Sequence, residues 1–363
     1  MNAQDGAAAA VERKRLLERL REAGCGEGEI ERAEREGRLP ALAVELALGG
    51  KGRHTLTQVA RSSGLDTAFL RELMQAVGRP NPARGERVFT DDDVEHARLI
   101  KQLVDAGLPR RELLEVGRVI GQGMAQAAEA IRRLVGDALL RPGDSEETVA
   151  LRYVQAADQL GPLVPRLLGH QFRAQLRDGM QGQLVTEAER EAGRLAGTRE
   201  VAVAFADLVD YTGLGERLPP EDLGRIAGRL AEIAVATLKR PTRLVKTIGD
   251  AAMFVSEDVD ALLASLRDLL ECVEAEGESF PAVRIGVALG AATPRGGDWF
   301  GSTVNLASRV TEIAKPGRIL ATDAVQERTP ELPWHRRRRR KSLKGIDAPV
   351  RLYALDAPAP AKA

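Results

Sequence analysis

Three short stretches of this chain place oxygen and nitrogen donors where they could handle phosphate at a divalent cation. In FADLVDYT, residues 205 to 212, Asp207 stands near the end of an apolar, β-branched run, where a carboxylate needs a partner. In VKTIGDAAMF, residues 245 to 254, Gly249 permits a tight turn and Asp250 presents a second carboxylate at its tip. If the two strands are neighbours, these carboxylates converge. Two hard oxygen ligands without His or Cys suit Mg²⁺ or Mn²⁺ carrying phosphate oxygens rather than zinc. In GDWFGSTVNLASRV, residues 297 to 310, Gly297 and Gly301 bracket a turn. The helix that follows sets Asn305 and Arg309 four positions apart, hence on one face, where an amide and a guanidinium can hold a phosphate. Taken singly, either Asp reads as a turn or cap residue, Arg309 as a solvated helix residue, and Trp299 and Phe300 as core anchors.

These groups need a scaffold, and the surrounding pattern predicts one of strands alternating with helices. Residues 201 to 208 read as a strand covered on both faces. Residues 219 to 238 form an amphipathic helix, with Leu223, Ile226, Leu230, Ile233 and Ala234 at helical spacing. A hairpin of 243 to 247 and 251 to 255 follows, then a helix at 259 to 276 and a strand at 283 to 292. A helix at 303 to 314 stops at Lys315, Pro316 and Gly317, and strands at 318 to 322 and 350 to 355 close the sheet. The order β-α-β-β-α-β is the ferredoxin-like split βαβ arrangement, an α+β fold.

Before residue 200 the text is different. It is rich in Ala, Leu, Glu and Arg at helical spacing, broken by Gly and Pro. Leu16, Leu17 and Leu20 make one stripe, Leu42, Val44, Leu46 and Leu48 a looser second, and further helices are predicted at 92 to 106, 110 to 135, 145 to 160 and 164 to 177. A polar segment at 184 to 199 is a natural connector. Most aromatics fall after residue 200, so the chain has two compositional halves, as its 363 residues allow.

Composition narrows the function classes. Lys+Arg and Asp+Glu number 53 each, so no overall field argues for a nucleic-acid or membrane partner. Cys25 and Cys272 cannot build a disulfide framework and read as reduced core thiols. No run approaches the roughly 18 apolar residues of a membrane span, and residues 1 to 10 lack a signal peptide's charge-then-apolar order. The expectation is a soluble, cytoplasmic protein without a membrane partner.

In order and spacing, the three segments resemble the catalytic core of the class III nucleotidyl cyclases, the adenylate and guanylate cyclase family, over about residues 201 to 355. The resemblance implies a ferredoxin-like catalytic domain at 200–357 behind an all-helical regulatory domain at 1–183 and a helical linker at 184–199, with a disordered tail at 358–363. It implies that Asp207 and Asp250 bind two Mg²⁺ or Mn²⁺ ions, that Lys246 and Asp298 select the base, and that Asn305 and Arg309 act on the ribose and phosphates. Lys344, in KSLKGIDAPVRLYAL, is similar to a family lysine that contacts the terminal phosphates. Family members work as dimers, metal carboxylates of one chain facing Lys, Asp, Asn and Arg of the other, so a homodimer with sites shared between chains is expected. Asp210 departs from the pattern, standing where family members usually have glycine. It reads as a loop-surface residue or as an extra carboxylate near the metals.

Hydrogen-bond polarity favours ATP. Adenine offers an amino donor at N6 and an acceptor at N1, whereas guanine presents the opposite pair. An ammonium only donates and an ionised carboxylate only accepts, so Lys246 and Asp298 complement adenine and mismatch guanine. The expected reaction closes the ribose 3′-hydroxyl onto the α-phosphorus, giving 3′,5′-cyclic AMP and pyrophosphate. A guanylate cyclase is the alternative within the family.

The helical half is similar in layout to the N-terminal regulatory regions of soluble actinobacterial-type class III cyclases, and autoinhibition is the expected sign. A small molecule, a lipid or pH could be its input. Residues 56 to 78 have a helix-turn-helix outline that resembles, with the following FTDDDVEHARLIKQLVDAGLP, a MerR-type winged helix; the alternative is thus a DNA-binding regulator fused to a cyclase. The second helix carries Asp66, Arg71 and Glu72, a mixed charge, so a nucleic-acid partner is not expected. Of the histidines at 54, 96, 170 and 335, His170 near the connector is the candidate pH lever, and residues 336 to 341 read as a solvated basic loop.

Overall fold

The computed structural model describes residues 3–22, 24–144, 146–181, 197–337, 340–346 and 348–356. The chain divides into two compact units, residues 1–181 and 182–363. The predicted connector falls at 184–196 outside the described residues, as does the tail at 358–363. Arg199, read as the connector's last residue, opens the first strand.

The N-terminal unit consists, among the described residues, of helices α1 (Ala3–Glu22), α2 (Glu27–Arg35), α3 (Leu39–Gly49), α4 (Leu56–Ser63), α5 (Thr67–Ala76), α6 (Asp91–Asp105), α7 (Arg110–Leu139), α8 (Glu146–Leu160) and α9 (Val164–Gln181). The leucines of the first stripe face inward: Leu16 and Leu20 meet Ile30, Leu39, Ala43, Ala150 and Val154 in one core. A second core holds Leu56, Val59, Phe69, Leu70, Phe89 and Val94. The turn between α4 and α5 is made by Gly64 at φ 78, the left-handed region that costs a glycine nothing. Thr55 and Asp66 cap the two helices by accepting from the amides of Gln58 and Phe69. An antiparallel bridge from His54 to Phe89 closes the loop beside them. Arg71 and Glu72 lie exposed on α5, so the mixed charge stays on its surface. His170 is exposed on α9, whereas His54 Nε2 sits 2.6 Å from a carboxylate oxygen of Asp91.

The C-terminal unit is an open sheet with helices on both faces. Its elements are β1 (Arg199–Leu208), α10 (Tyr211–Gly215), α11 (Pro220–Ala236), β2 (Arg243–Ile248), β3 (Ala251–Ser256), α12 (Val259–Ala275), β4 (Val283–Arg295), β5 (Asp298–Phe300), α13 (Ser302–Glu312), β6 (Arg318–Thr322), α14 (Asp323–Arg328), β7 (His335–Arg336) and β8 (Leu352–Asp356). Strand order is β2-β3-β1-β4-β6-β8-β7, with β5 paired to β4. The antiparallel β2-β3-β1-β4 portion is the predicted ferredoxin-like core.

Alternation along β1 decides what each face does. Ala202, Ala204, Ala206 and Leu208 join Leu230 and Ile233 of α11 and Leu262, Leu266 and Leu269 of α12 in the main core. Val201 and Val203 face the other way, with Phe205, toward Ala307 of α13. Asp207 continues that second series. On the same face β4 carries Gly286, Ala288, Gly290 and Ala292 in alternation, so α13 can lie close against the strand. Thr303 at the start of α13 and Thr311 near its end stand directly over Gly290 and Gly286.

Several local expectations need correction. Cys25 is buried, but Cys272 is exposed, because Leu269, Leu270 and Val273 take the inward face of α12. Trp299 packs with Phe205 and Val245, whereas Phe300 is 55% exposed, since neighbours in β5 point to opposite sides. The basic run is not wholly a loop: Arg336 ends β7 and Lys341 bridges Val350, with 338 and 339 outside the described residues.

A methyl group at Gly286 would overlap the amide nitrogen and Oγ1 of Thr311 and come within 2.7 Å of the Ala307 carbonyl oxygen, all parts of one helix turn. Gly286→Ala is therefore expected to cost roughly 1–3 kcal/mol of stability, read as a lower urea midpoint of the full chain. An unchanged midpoint would show that the helix does not rest on this glycine.

Candidate active site

Asp207, the penultimate residue of β1, stands opposite Ala251 of β3 on one side and Arg284 of β4 on the other. Asp250 occupies the tip between β2 and β3, which Gly249 turns at φ 59. The Asp250 carbonyl accepts from the Leu208 amide at 3.1 Å, fixing the tip against the end of β1. The tip that carries Asp250 thus lies beside the end of β1 that carries Asp207, and burial first, then the charge of Asp207, push the Asp250 carboxyl above the ordinary carboxylate range, against the pull of its own amide and of Arg284.

Arg284 is the residue beside the pair that spacing did not reveal. Its Nε and Nη2 donate to Asp207 Oδ2 at 2.8 and 2.6 Å, and its Nη1 donates to the Glu312 carbonyl at 3.2 Å. One guanidinium thereby neutralises a carboxylate and satisfies an open carbonyl at the C-terminus of α13, where a cation is favoured. The only sequence signal was an arginine second in an otherwise apolar strand.

A second group lies across the hairpin. Lys246, opposite Met253 at an irregularity in β2, forms an ion pair with Asp298 of β5. The other Asp298 oxygen accepts from the Trp299 amide at 2.8 Å, which holds the carboxylate still. Asn305 is exposed on α13, and Arg309, one turn on, pairs through Nη1 with Glu312 Oε1. Lys344 is exposed in a turn whose neighbour Leu343 packs with Val310 and Ala314. Among the described residues, no hydrogen bond or ion pair joins Lys246, Asp298, Asn305, Arg309 or Lys344 to Asp207 or Asp250. Asp210 is the one described non-glycine residue in left-handed backbone, at φ 60, and its carboxylate turns over Gly213 to meet Arg217 at 3.3 Å. It is a loop-surface residue rather than a third carboxylate of the pair.

The donor set fits a hard divalent cation. Among the described residues no group of three or more His, Cys, Asp or Glu could cage a metal. Two carboxylates at one strand end suffice for Mg²⁺, which takes its remaining ligands from water and phosphate. No described helix is long and apolar enough to cross a membrane.

Comparison with known proteins finds relatives of both units. The adenylate cyclase regulatory domain family matches residues 2–180, and the adenylate and guanylate cyclase catalytic domain family matches residues 195–356. A pH-sensitive adenylate cyclase of Mycobacterium tuberculosis is 38% identical over 96% of this chain and 89% of its own length. An adenylate cyclase of Streptomyces coelicolor is 33% identical over 79% of this chain and 74% of its own. Among solved structures, the guanylate cyclase domain of RhGC from Catenaria anguillulae in complex with GTP is 25% identical, aligning with 45% of this chain and 99% of that one at a TM-score of 0.40.

The raised Asp250 carboxyl sets a pH dependence for the metal-free chain. Its folded pKa lies above its unfolded one, so the native state binds more protons between the two values. Stability therefore falls as pH rises through that window, and the cost is fully present above it. In excess chelator, Asp250→Asn is expected to melt above wild type at neutral pH, the gap closing as pH falls toward the ordinary carboxylate range. A gap independent of pH would contradict this origin.

Proposed function

The chain belongs to the class III adenylate cyclases with an N-terminal adenylate cyclase regulatory domain, and on that premise we propose that it converts ATP to 3′,5′-cyclic AMP and pyrophosphate at sites shared by two copies. The observation that carries the reading is the meeting of Asp207 and Asp250 at one end of the sheet. Two Mg²⁺ or Mn²⁺ ions held there with the triphosphate would supply Lewis acidity at the 3′-hydroxyl and at the departing pyrophosphate. Arg284, already on Asp207, adds fixed positive charge beside the triphosphate.

Lys246 and Asp298 read the base. Their ion pair leaves the ammonium two further N–H donors, one for adenine N1, while the carboxylate accepts from N6. GTP would oppose donor to donor and acceptor to acceptor, at a cost of about 1–3 kcal/mol for each unpaired group. Asn305 orients the ribose and Arg309 meets charge growing on the α-phosphoryl oxygens. Lys344, exposed in its turn, is read as the group that meets the terminal phosphates. The reading includes a homodimer in which one chain gives the carboxylate pair, and the other gives Lys246, Asp298, Asn305 and Arg309, to each site.

The regulatory unit is read as autoinhibitory, and a relative named for pH sensitivity supports a pH input to it. Purified protein with Mn²⁺ and either ATP or GTP is expected to yield cyclic AMP from ATP at least tenfold faster than cyclic GTP from GTP, resolved by chromatography. Residues 190–363 alone should turn over faster than the full chain. Equal rates with both nucleotides would remove the base-reading roles, and a slower fragment would reverse the sign of regulation.

A further inference from the structure

We infer that Glu312 is a positioning residue for Arg309, setting the direction of its guanidinium from the last turn of α13; the inference rests on the role proposed for Arg309. Glu312 meets both Arg309 and Arg284. Its carboxylate oxygen Oε1 accepts from Arg309 Nη1, and its carbonyl accepts from Arg284 Nη1 at 3.2 Å. Arg284 in turn grips Asp207 through two hydrogen bonds to one oxygen. An unbroken series Asp207–Arg284–Glu312–Arg309 thus ties the end of β1 to the helix that carries Asn305.

The donor arithmetic favours positioning over sequestration. A guanidinium has five N–H donors in a rigid plane, and this contact engages Nη1. The Nε and Nη2 edge stays open for phosphoryl oxygens, with the plane held by its other end. A pair three residues apart on a half-exposed helix face contributes little to stability. Its effect is therefore expected in geometry, where small displacements of a charge-stabilising group lower turnover steeply.

The test uses the full chain with ATP and Mn²⁺, comparing wild type, Glu312→Ala, Glu312→Gln, Arg309→Ala and the double variant Glu312→Ala/Arg309→Ala. Glu312→Ala is expected to lower kcat about tenfold with KM within about twofold, the pattern of an interaction realised in the transition state. Glu312→Gln, which still accepts from Arg309, should recover at least half of the wild-type kcat. In the Arg309→Ala background, removing the Glu312 carboxylate should change kcat less than about twofold, since its partner is already gone. An equal loss in both backgrounds, a loss confined to KM, or a kcat that is unchanged or raised in Glu312→Ala would overturn the inference. Failure of the underlying reading is separate: it would appear as full turnover in Arg309→Ala alone.

Discussion

Two like charges at one end of a sheet are the constraint around which the catalytic unit is arranged. Asp207 and Asp250 repel one another, and partial burial raises the cost of charging Asp250 further. Such a pair persists only if the fold holds it and a cation compensates it. The hold comes from backbone: the Asp250 carbonyl is bonded to the amide of Leu208, so the hairpin tip cannot drift from the end of β1. The compensation comes from Arg284, which register places directly across from Asp207. The same repulsion makes the spot a good seat for a divalent cation, since a bound ion relieves what folding has stored.

The rest of the unit is arranged around that end of the sheet. Alternating glycine and alanine on one face of β4 bring α13 against the strand, and the helix presents Asn305 and Arg309 outward while its last carbonyl meets Arg284. The opposite face of the sheet is given to ordinary packing, with α11 and α12 over a continuous apolar layer. Stability and chemistry are thereby separated by the two-residue period of the strands. Lys246 and Asp298 come from the far edge of the hairpin and from a three-residue strand that pairs with β4, a placement that fits base reading by one chain and metal holding by another.

Much of this is legible in the sequence, and the reasons are local. Apolar runs and helical stripes fixed the order of elements, and Gly249 followed by Asp250 identified the hairpin tip. What stayed hidden depends on contacts between distant segments. Arg284 is 77 residues from Asp207, and only the β1–β4 register reveals that they meet. Phe300 and Cys272 were misplaced because composition cannot say which side of a strand or helix faces the core. Asp298 was read in a turn between glycines, yet it begins β5, whose pairing with β4 no propensity announces in three residues. Asp210 has two readings by sequence, and its left-handed backbone, with the carboxylate on Arg217, decides between them.

The central claim is that the two carboxylates of one chain act with the amide and guanidinium of another. Mixing two separately inactive full-length variants, Asp207→Ala and Asn305→Ala, tests it most directly. If sites are shared, heterodimers contain about one site with every group intact, and cyclic AMP formation returns on mixing in proportion to heterodimer content. If each chain is complete in itself, no mixture of the two regains turnover, and the account of a divided site fails.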